Sequence, residues 1–366
     1  MADKSMTSIL RHRYAIEQVI PCGRAALGMY AAMRAWSAGR QDLVAIPAAV
    51  CQDVVAAILM AGCRPIFCDI DPTTGLVPMH AWQQARDAGA TVAIVVHLYG
   101  NPADVSVVRR IFPLGECLVI DDAAQALGAR CGTVLAGAGG DVGVLSFGYS
   151  KQLSVGGGVL LVRDAAFSAA CRELLADASL MADREVAEAK FRVRFAAARQ
   201  GWIATGDRSR FAGLLDGYDV LLRTAWDQRW ESQLALRLEE YPQKIEARRR
   251  KALAWRQVIA ATGLVPVGMD VSADDGCVPW RFACRLPGCR ADRQFAIGDS
   301  LRAQGLQVSH WYLPANWLLG VAMADVPGAE QLAQEAFQFW LDETTTLEDI
   351  QRAEPILRSC FSVADG

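Results

Sequence analysis

Three short segments carry side chains whose types and spacing could do chemistry. Cys22-Gly-Arg-Ala-Ala26 sets a glycine just before an amphipathic run. Free amides at the start of such a helix, with the helix dipole behind them, suit a phosphate, although an ordinary helix start is spelled the same way. Leu118-Val-Ile-Asp-Asp122-Ala-Ala-Gln125 is an apolar run ending in two carboxylates and an amide. A carboxylate at a strand end holds a cation, a ribose hydroxyl or a protonated ring nitrogen, or else it caps the following helix. The two aspartates cannot work as a pair, because neighbouring side chains on a strand point to opposite faces. Ser146-Phe-Gly-Tyr-Ser-Lys151 precedes Gly156-Gly-Gly158 and a second apolar run. A lysine there is either a loop residue snorkelling to water or an amine whose pKa is depressed, as a Schiff-base lysine requires.

The elements that must position these groups alternate. Between residues 20 and 163 the pattern predicts helices and short apolar strands in turn, hence a mostly parallel sheet with helices packed on it. Helices are expected over Gly23–Trp36, Asp53–Met60, His80–Ala88 and Val105–Phe112. Strands are expected over Leu43–Pro47, Pro65–Ile70, Val92–His97 and Leu118–Asp121, with Gly143–Phe147 and Gly158–Val162 as a strand pair. The stretch 164–227 is rich in Ala and Arg and reads as a helical lid. Glu231–Ala261 reads as a long helical connector that Pro242 kinks or splits. Beyond Gly263 a smaller α+β lobe is expected, with strands Pro279–Leu286 and Gln307–Tyr312 and helices Ala291–Gln304, Glu330–Trp340 and Thr346–Leu357. The expected division is a large domain over 1–240 and a small C-terminal domain over 241–366.

Composition narrows the function classes. The 366 residues are 52% hydrophobic and 21% charged, enough for a sizeable core and unlike a disordered chain. A net charge of −3 lacks the basic footprint of a nucleic-acid binder. The polar start has no apolar signal segment, and the apolar runs fall short of the ~18 residues of a membrane span. A cytoplasmic protein, acting on neither nucleic acid nor membrane, is the expectation. Eleven scattered cysteines without a C-x-x-C pair predict neither a structural metal nor a disulfide framework.

Other templates fail. Gly137-Ala-Gly-Gly-Asp-Val142-Gly143 lacks the third glycine of the dinucleotide fingerprint, and no Gly-Lys-Ser/Thr, G-x-S-x-G or H-E-x-x-H is present. A phosphate cup, a strand-end Asp and a Ser-to-Lys loop, in that order, form the constellation that pyridoxal phosphate requires. The residues resemble the DegT/StrS-type aminotransferases, fold type I pyridoxal phosphate enzymes that make amino sugars and aminocyclitols. Cys22-Gly-Arg-Ala-Ala-Leu27 is similar to the family's S-G-T-A-A-L helix start. Ala61-Gly-Cys-Arg-Pro-Ile-Phe-Cys-Asp-Ile-Asp71-Pro resembles A-G-x-x-P-x-F-x-D-I-D-P, and His97-Leu-Tyr-Gly100 resembles H-L-Y-G. Asp121-Asp-Ala-Ala-Gln125 resembles E-D-A-A-Q, and Gly140-Asp-Val-Gly-Val-Leu-Ser146-Phe runs up to Lys151 as G-D-I-G-x-x-S-F-x-x-x-K does.

The resemblance implies that Lys151 forms the Schiff base and moves the substrate proton, and that Asp122 pairs with the protonated pyridine nitrogen. It places Gln125 near the phenolic oxygen, and Ser146 with the first-turn residues Gly23, Arg24 and Ala25 at the phosphate. It implies a homodimer with shared active sites, an amino-acid donor such as glutamate, and a keto sugar, cyclitol or related small molecule as acceptor. The alternative is another pyridoxal phosphate reaction on the same scaffold: elimination, decarboxylation or C–C bond formation. A non-catalytic relative is a third reading, opposed by the intact Asp122, Gln125, Ser146 and Lys151. Three departures stand out. Arg24 replaces a hydroxyl residue and faces either the phosphate, a substrate anion or solvent. No aromatic follows Pro47, which leaves Cys51 at the ring face. The family's N-Y-R segment has no clear counterpart. His310 and Tyr312 are the expected substrate contacts from the small lobe, and Trp226, Trp230, Trp311 and Trp317 are expected near the pocket edge.

Overall fold

The computed structural model describes residues 5–176, 184–268, 276–309, 313–320 and 325–361. Its centre is a seven-stranded sheet built from β1 (Gln18–Cys22), β2 (Leu43–Pro47), β3 (Arg64–Cys68), β4 (Val92–Val96), β5 (Leu118–Asp122), β8 (Val142–Ser146) and β9 (Gly158–Val162). A small hairpin, β6 (Arg130–Cys131) and β7 (Val134–Leu135), stands apart from it. The spatial order is β1-β9-β8-β5-β4-β2-β3. Strands β3, β2, β4, β5 and β8 run parallel, whereas β9 lies antiparallel to β8 and β1 antiparallel to β9. β4, Val-Ala-Ile-Val-Val, is buried along its whole length. Continuous apolar runs of this kind mark strands covered on both faces by helices.

β5 follows the same rule until its last two residues, both aspartates at the carboxyl end. Their alternation separates them as expected. Asp121 turns to His97, whose Nε2 donates to Oδ1 over 2.6 Å while its Nδ1 accepts from the Ala103 amide. The Gly139 amide donates to the other Asp121 oxygen. Asp122 turns the other way, towards the cavity described below.

The second sheet is antiparallel, in the order β10 (Val265–Pro266), β11 (Arg281–Arg285), β13 (Ala336–Trp340), β12 (Val308–Ser309). Here one expectation is corrected. The segment 330–340 is not one helix: the helix Pro327–Glu335 ends and Ala336-Phe-Gln-Phe-Trp340 becomes the strand between β11 and β12. Phe339 stacks on Trp255 with centroids 4.2 Å apart, and Phe337 meets Phe361 edge-on. Large aromatics alternating about Gln338 fit a pleated, doubly buried surface better than a helix stripe. Asp69, in the Asp-Ile-Asp segment after β3, accepts from the amides of Gly328 and Ala329, capping that helix.

The strands and helices expected up to residue 162 are present, with ends shifted by a residue or two. The strand β1 and the helix Met6–Tyr14 are additions that the sequence reading did not include. The connector is a single helix, Arg229–Ile259, and Pro242 lies within it without ending it. The described part of the stretch 164–227 is chiefly helical, over Ala165–Ala176 and Arg184–Thr205. Trp317 belongs to the core there, packed on Trp202 and Phe211 at 5.1 and 5.7 Å, and not to a substrate platform. Among the described residues no helix is long and apolar enough to cross a membrane.

Candidate active site

One cavity of about 770 Å³ opens where the carboxyl ends of the parallel strands face the helix Arg184–Thr205 and the second sheet. Gly23, Arg24, Ala25, Cys51, Asp122, Gln125, Ser146 and Lys151 all border it, so the fold gathers sequence-distant candidates into one place. His310, Tyr312 and Trp311 lie outside the described residues. Trp230 borders the cavity, and Trp226 meets it edge-on at 5.3 Å.

The phosphate-like corner is built by close backbone approach. The helix Ala25–Ser37 begins here, and its N-cap, Arg24, supplies no side-chain cap. The first-turn amides are thus left for another acceptor. A Cβ on Gly23 would fall 1.8 Å from the Thr224 carbonyl oxygen, and one on Gly158 would fall 2.7 Å from the Ala25 nitrogen. Only glycines let the strand pair and the residues 224–225 come this near.

Lys151 is presented by a constrained turn. Ser150 adopts the left-handed region at φ 64°, and its carbonyl accepts from the Trp280 indole over 2.6 Å. The Lys151 Nζ lies 5.0 Å from the Trp280 ring centroid. A non-glycine residue in this conformation costs free energy, and Trp280 helps to hold it. Gly156 and Gly157, after the loop, have φ 144° and 72° and pack beneath Trp230 and Trp226.

Asp122 is 4% exposed and accepts the Ala124 amide over 2.9 Å. Burial, the largest influence, lifts its pKa above the usual carboxylate range, against the Ala124 amide, Lys151 and His97, which favour the charge. A carboxylate in this state gains from any cation placed opposite it. Gln125 accepts the Tyr99 amide over 2.8 Å, fixing a turn in which Tyr99 itself has φ 59°.

Three residues that the sequence reading did not assign complete this wall. Arg24 Nη2 meets Asp53 Oδ2 at 2.7 Å, and the Tyr218 hydroxyl donates to Asp53 Oδ1 over 2.6 Å. Burial opposes the charge of Asp53, but Arg24, the two hydrogen bonds and Lys151 outweigh it and hold the carboxyl below its ordinary range. Arg24 is therefore neither turned to solvent nor a free anion ligand. Cys51 caps the next helix beside them; burial first, then Asp53, push its thiol up to about 12, so it stays neutral. The third is Arg281, at the start of β11. No local motif marks Asp53, Tyr218 or Arg281, since each is brought in by tertiary packing.

The comparisons with known proteins bear on this geometry. Residues 7–197 match the model of the DegT/DnrJ/EryC1/StrS aminotransferase family. Over 306 residues, 82% of this chain, the sequence is 26% identical to L-glutamine:2-deoxy-scyllo-inosose aminotransferase of Streptomyces paromomycinus. Over 148 residues, 40% of the chain, it is 31% identical to a UDP-N-acetyl-3-dehydro-alpha-D-glucosamine 3-aminotransferase of Acidithiobacillus ferrooxidans. The matches span 66% and 40% of the lengths of these relatives. The fold is similar to that of the aminotransferase TlmJ from Streptoalloteichus hindustanus, with a TM-score of 0.76, 19% identity, and coverage of 99% of this chain and 91% of the other.

The raised pKa of Asp122 has a measurable consequence in the ligand-free protein. Folding favours its neutral form, so its contribution to stability is full below the unfolded carboxyl value of about 3.9 and is lost as pH rises through the higher folded value. Asp122→Asn keeps an acceptor for the Ala124 amide but does not titrate. We expect thermal unfolding to show the variant at least as stable as the wild type near neutral pH. The difference should close as the solution is acidified below about pH 4. A gap of constant size across the titration contradicts the assignment.

Proposed function

The chain belongs to the DegT/DnrJ/EryC1/StrS aminotransferase family, and from that premise we propose that it is a pyridoxal phosphate-dependent aminotransferase. The proposed reaction moves an amino group from L-glutamine or L-glutamate to a keto group of a cyclitol or sugar. The observation that carries this reading is the placing of Asp122, Ser146, Lys151 and the Ala25–Ser37 helix start around one cavity. The residues fit the cofactor on physical grounds. The buried Asp122 carboxylate matches a protonated pyridine nitrogen, the uncapped first turn matches a phosphate, and the Lys151 amine reaches the same space.

Pyridoxal phosphate supplies, when bound, a ring that accepts electrons from the carbon bearing the amino group. The chain does the rest. Asp122 keeps the ring nitrogen protonated through a charge pair in a low-dielectric setting. Ser146 and the amides of Gly23, Arg24 and Ala25 would hold the phosphate, and Gln125 and the neutral, small Cys51 would border the ring. Lys151 Nζ would hold the cofactor and, as a free amine, would take and return the proton at the donor's Cα. The aminotransferase names of the relatives favour group transfer over elimination or decarboxylation on the same scaffold.

We also propose that the working unit is a homodimer whose sites are completed across the interface. Tyr149, at the cavity mouth, is 87% exposed in the single chain, a large aromatic that a second chain would cover. An obligate interface of this kind buries more than about 2,000 Å². Light scattering should report twice the chain mass under conditions of full activity; an active monomer would contradict the dimer.

Lys151 gives the direct test of the chemistry. Borohydride treatment of the loaded protein should fix the cofactor to the peptide that contains Lys151, as read by mass spectrometry. Lys151→Ala should fold normally and lose turnover by more than the roughly 10²–10⁴-fold that general acid–base help contributes alone. Attachment to a different lysine, or wild-type-like turnover in Lys151→Ala, overturns the proposal.

A further inference from the structure

The cavity wall holds a buried guanidinium whose Nε and Nη1 are unpaired among the described residues. Arg281 is 5% exposed, opens β11 and borders the cavity. Its guanidinium lies against two indoles, with Cζ 4.6 Å from the Trp280 centroid and 3.8 Å from that of Trp340. Its Nε and Nη1 have no hydrogen-bond partner among the described residues. Two other guanidinium groups on the cavity lining are paired, Arg24 with Asp53 and Arg192 with Glu188 on the same helix. Around Arg281 the charged and titratable groups are Asp342, Arg248, Tyr149 and Tyr99, and burial outweighs them, lowering its pKa to about 10. It is still a cation at neutral pH, held where charge is expensive.

A guanidinium stacked against aromatic rings bonds through its edge, and a planar carboxylate is the group that such an edge suits. Position narrows the choice of carboxylate. Trp280 also lies under Lys151 Nζ, so one indole touches both the reacting amine and this cation. The donor amino acid carries a carboxylate one bond from its reacting carbon. A cyclitol or sugar ketone carries hydroxyls at the equivalent place. We propose that Arg281 binds the α-carboxylate of the amino donor and so selects amino acids over simple amines. This inference rests on the aminotransferase reading and assigns the donor subsite within it.

The test uses the loaded enzyme in single-turnover donor half-reactions, followed by cofactor absorbance. L-Glutamine is compared with 4-aminobutanamide, the same chain without the carboxylate, in the wild type, Arg281→Met and Arg281→Lys. We expect the glutamine concentration for half-maximal rate to rise roughly tenfold to a hundredfold in Arg281→Met, as the loss of a charge-assisted pair predicts. Arg281→Lys should fall between, the amine should react alike in all three proteins, and the KM for 2-deoxy-scyllo-inosose should not move. A second readout is independent of turnover: glutarate should change the tryptophan fluorescence of the wild type saturably and leave Arg281→Met unaffected. Unchanged glutamine dependence, equal losses for glutamine and the ketone, or glutarate binding that survives Arg281→Met overturns the subsite. A wild type that reacts with no amino acid while still binding glutarate through Arg281 would instead overturn the aminotransferase reading alone.

Discussion

The Asp122 carboxylate, buried at the end of a fully covered strand, is the constraint around which the site is organised. Strand β5 cannot bury Leu118, Val119 and Ile120 and then release both aspartates to water, because neighbours lie on both sides of it. Alternation sends Asp121 to His97 and the Gly139 amide, where its charge is satisfied internally. It sends Asp122 to the cavity with one amide as its hydrogen-bond donor among the described residues. One strand thus sends one carboxylate to internal partners and the other to the cavity, separated only by the pleat.

The remaining wall is assembled from elements far apart in sequence. The helix Ala25–Ser37 and the strand pair β8–β9 approach closely because Gly23 and Gly158 lack side chains. Asp53 joins Arg24 to Tyr218, so a half-buried ion pair between two helix starts of the large sheet is tied by one hydroxyl contact to the Ala/Arg-rich stretch. Trp280, from beside the second sheet, holds the Ser150 carbonyl and lies under Lys151. Lys151 is positioned by the small lobe as much as by the large one. The proton transfer proposed for it depends on such placement, since small displacements are costly in rate.

Much of this was legible in the sequence because it is local. The apolar runs of β2, β4 and β5, the Asp122-to-Gln125 segment and the Ser146-to-Lys151 loop are each read within a few residues. Segment 330–340 misled because Ala, Gln and Glu form helices readily, while the alternation of Phe337 and Phe339 about Gln338 is short and has no exposed polar partner. Trp317 is expected near the pocket edge and lies in the core, because sequence alone does not separate a core aromatic from a pocket one. Asp53, Tyr218 and Arg281 were invisible for a different reason. Their meaning comes from an ion pair, a hydroxyl contact and an unpaired burial, none of which has a spacing in the chain.

In the proposed reaction the amino group itself moves from donor to ketone through this cavity. The most direct measurement supplies L-glutamine carrying heavy nitrogen at its α-amino group together with cyclitol and sugar ketones, and reads the products by mass spectrometry. The label is expected in an amino-cyclitol or amino sugar in equal amount to the keto acid formed. Label released as ammonia, or carbon dioxide lost from the donor with no nitrogen in the cyclitol, would contradict it.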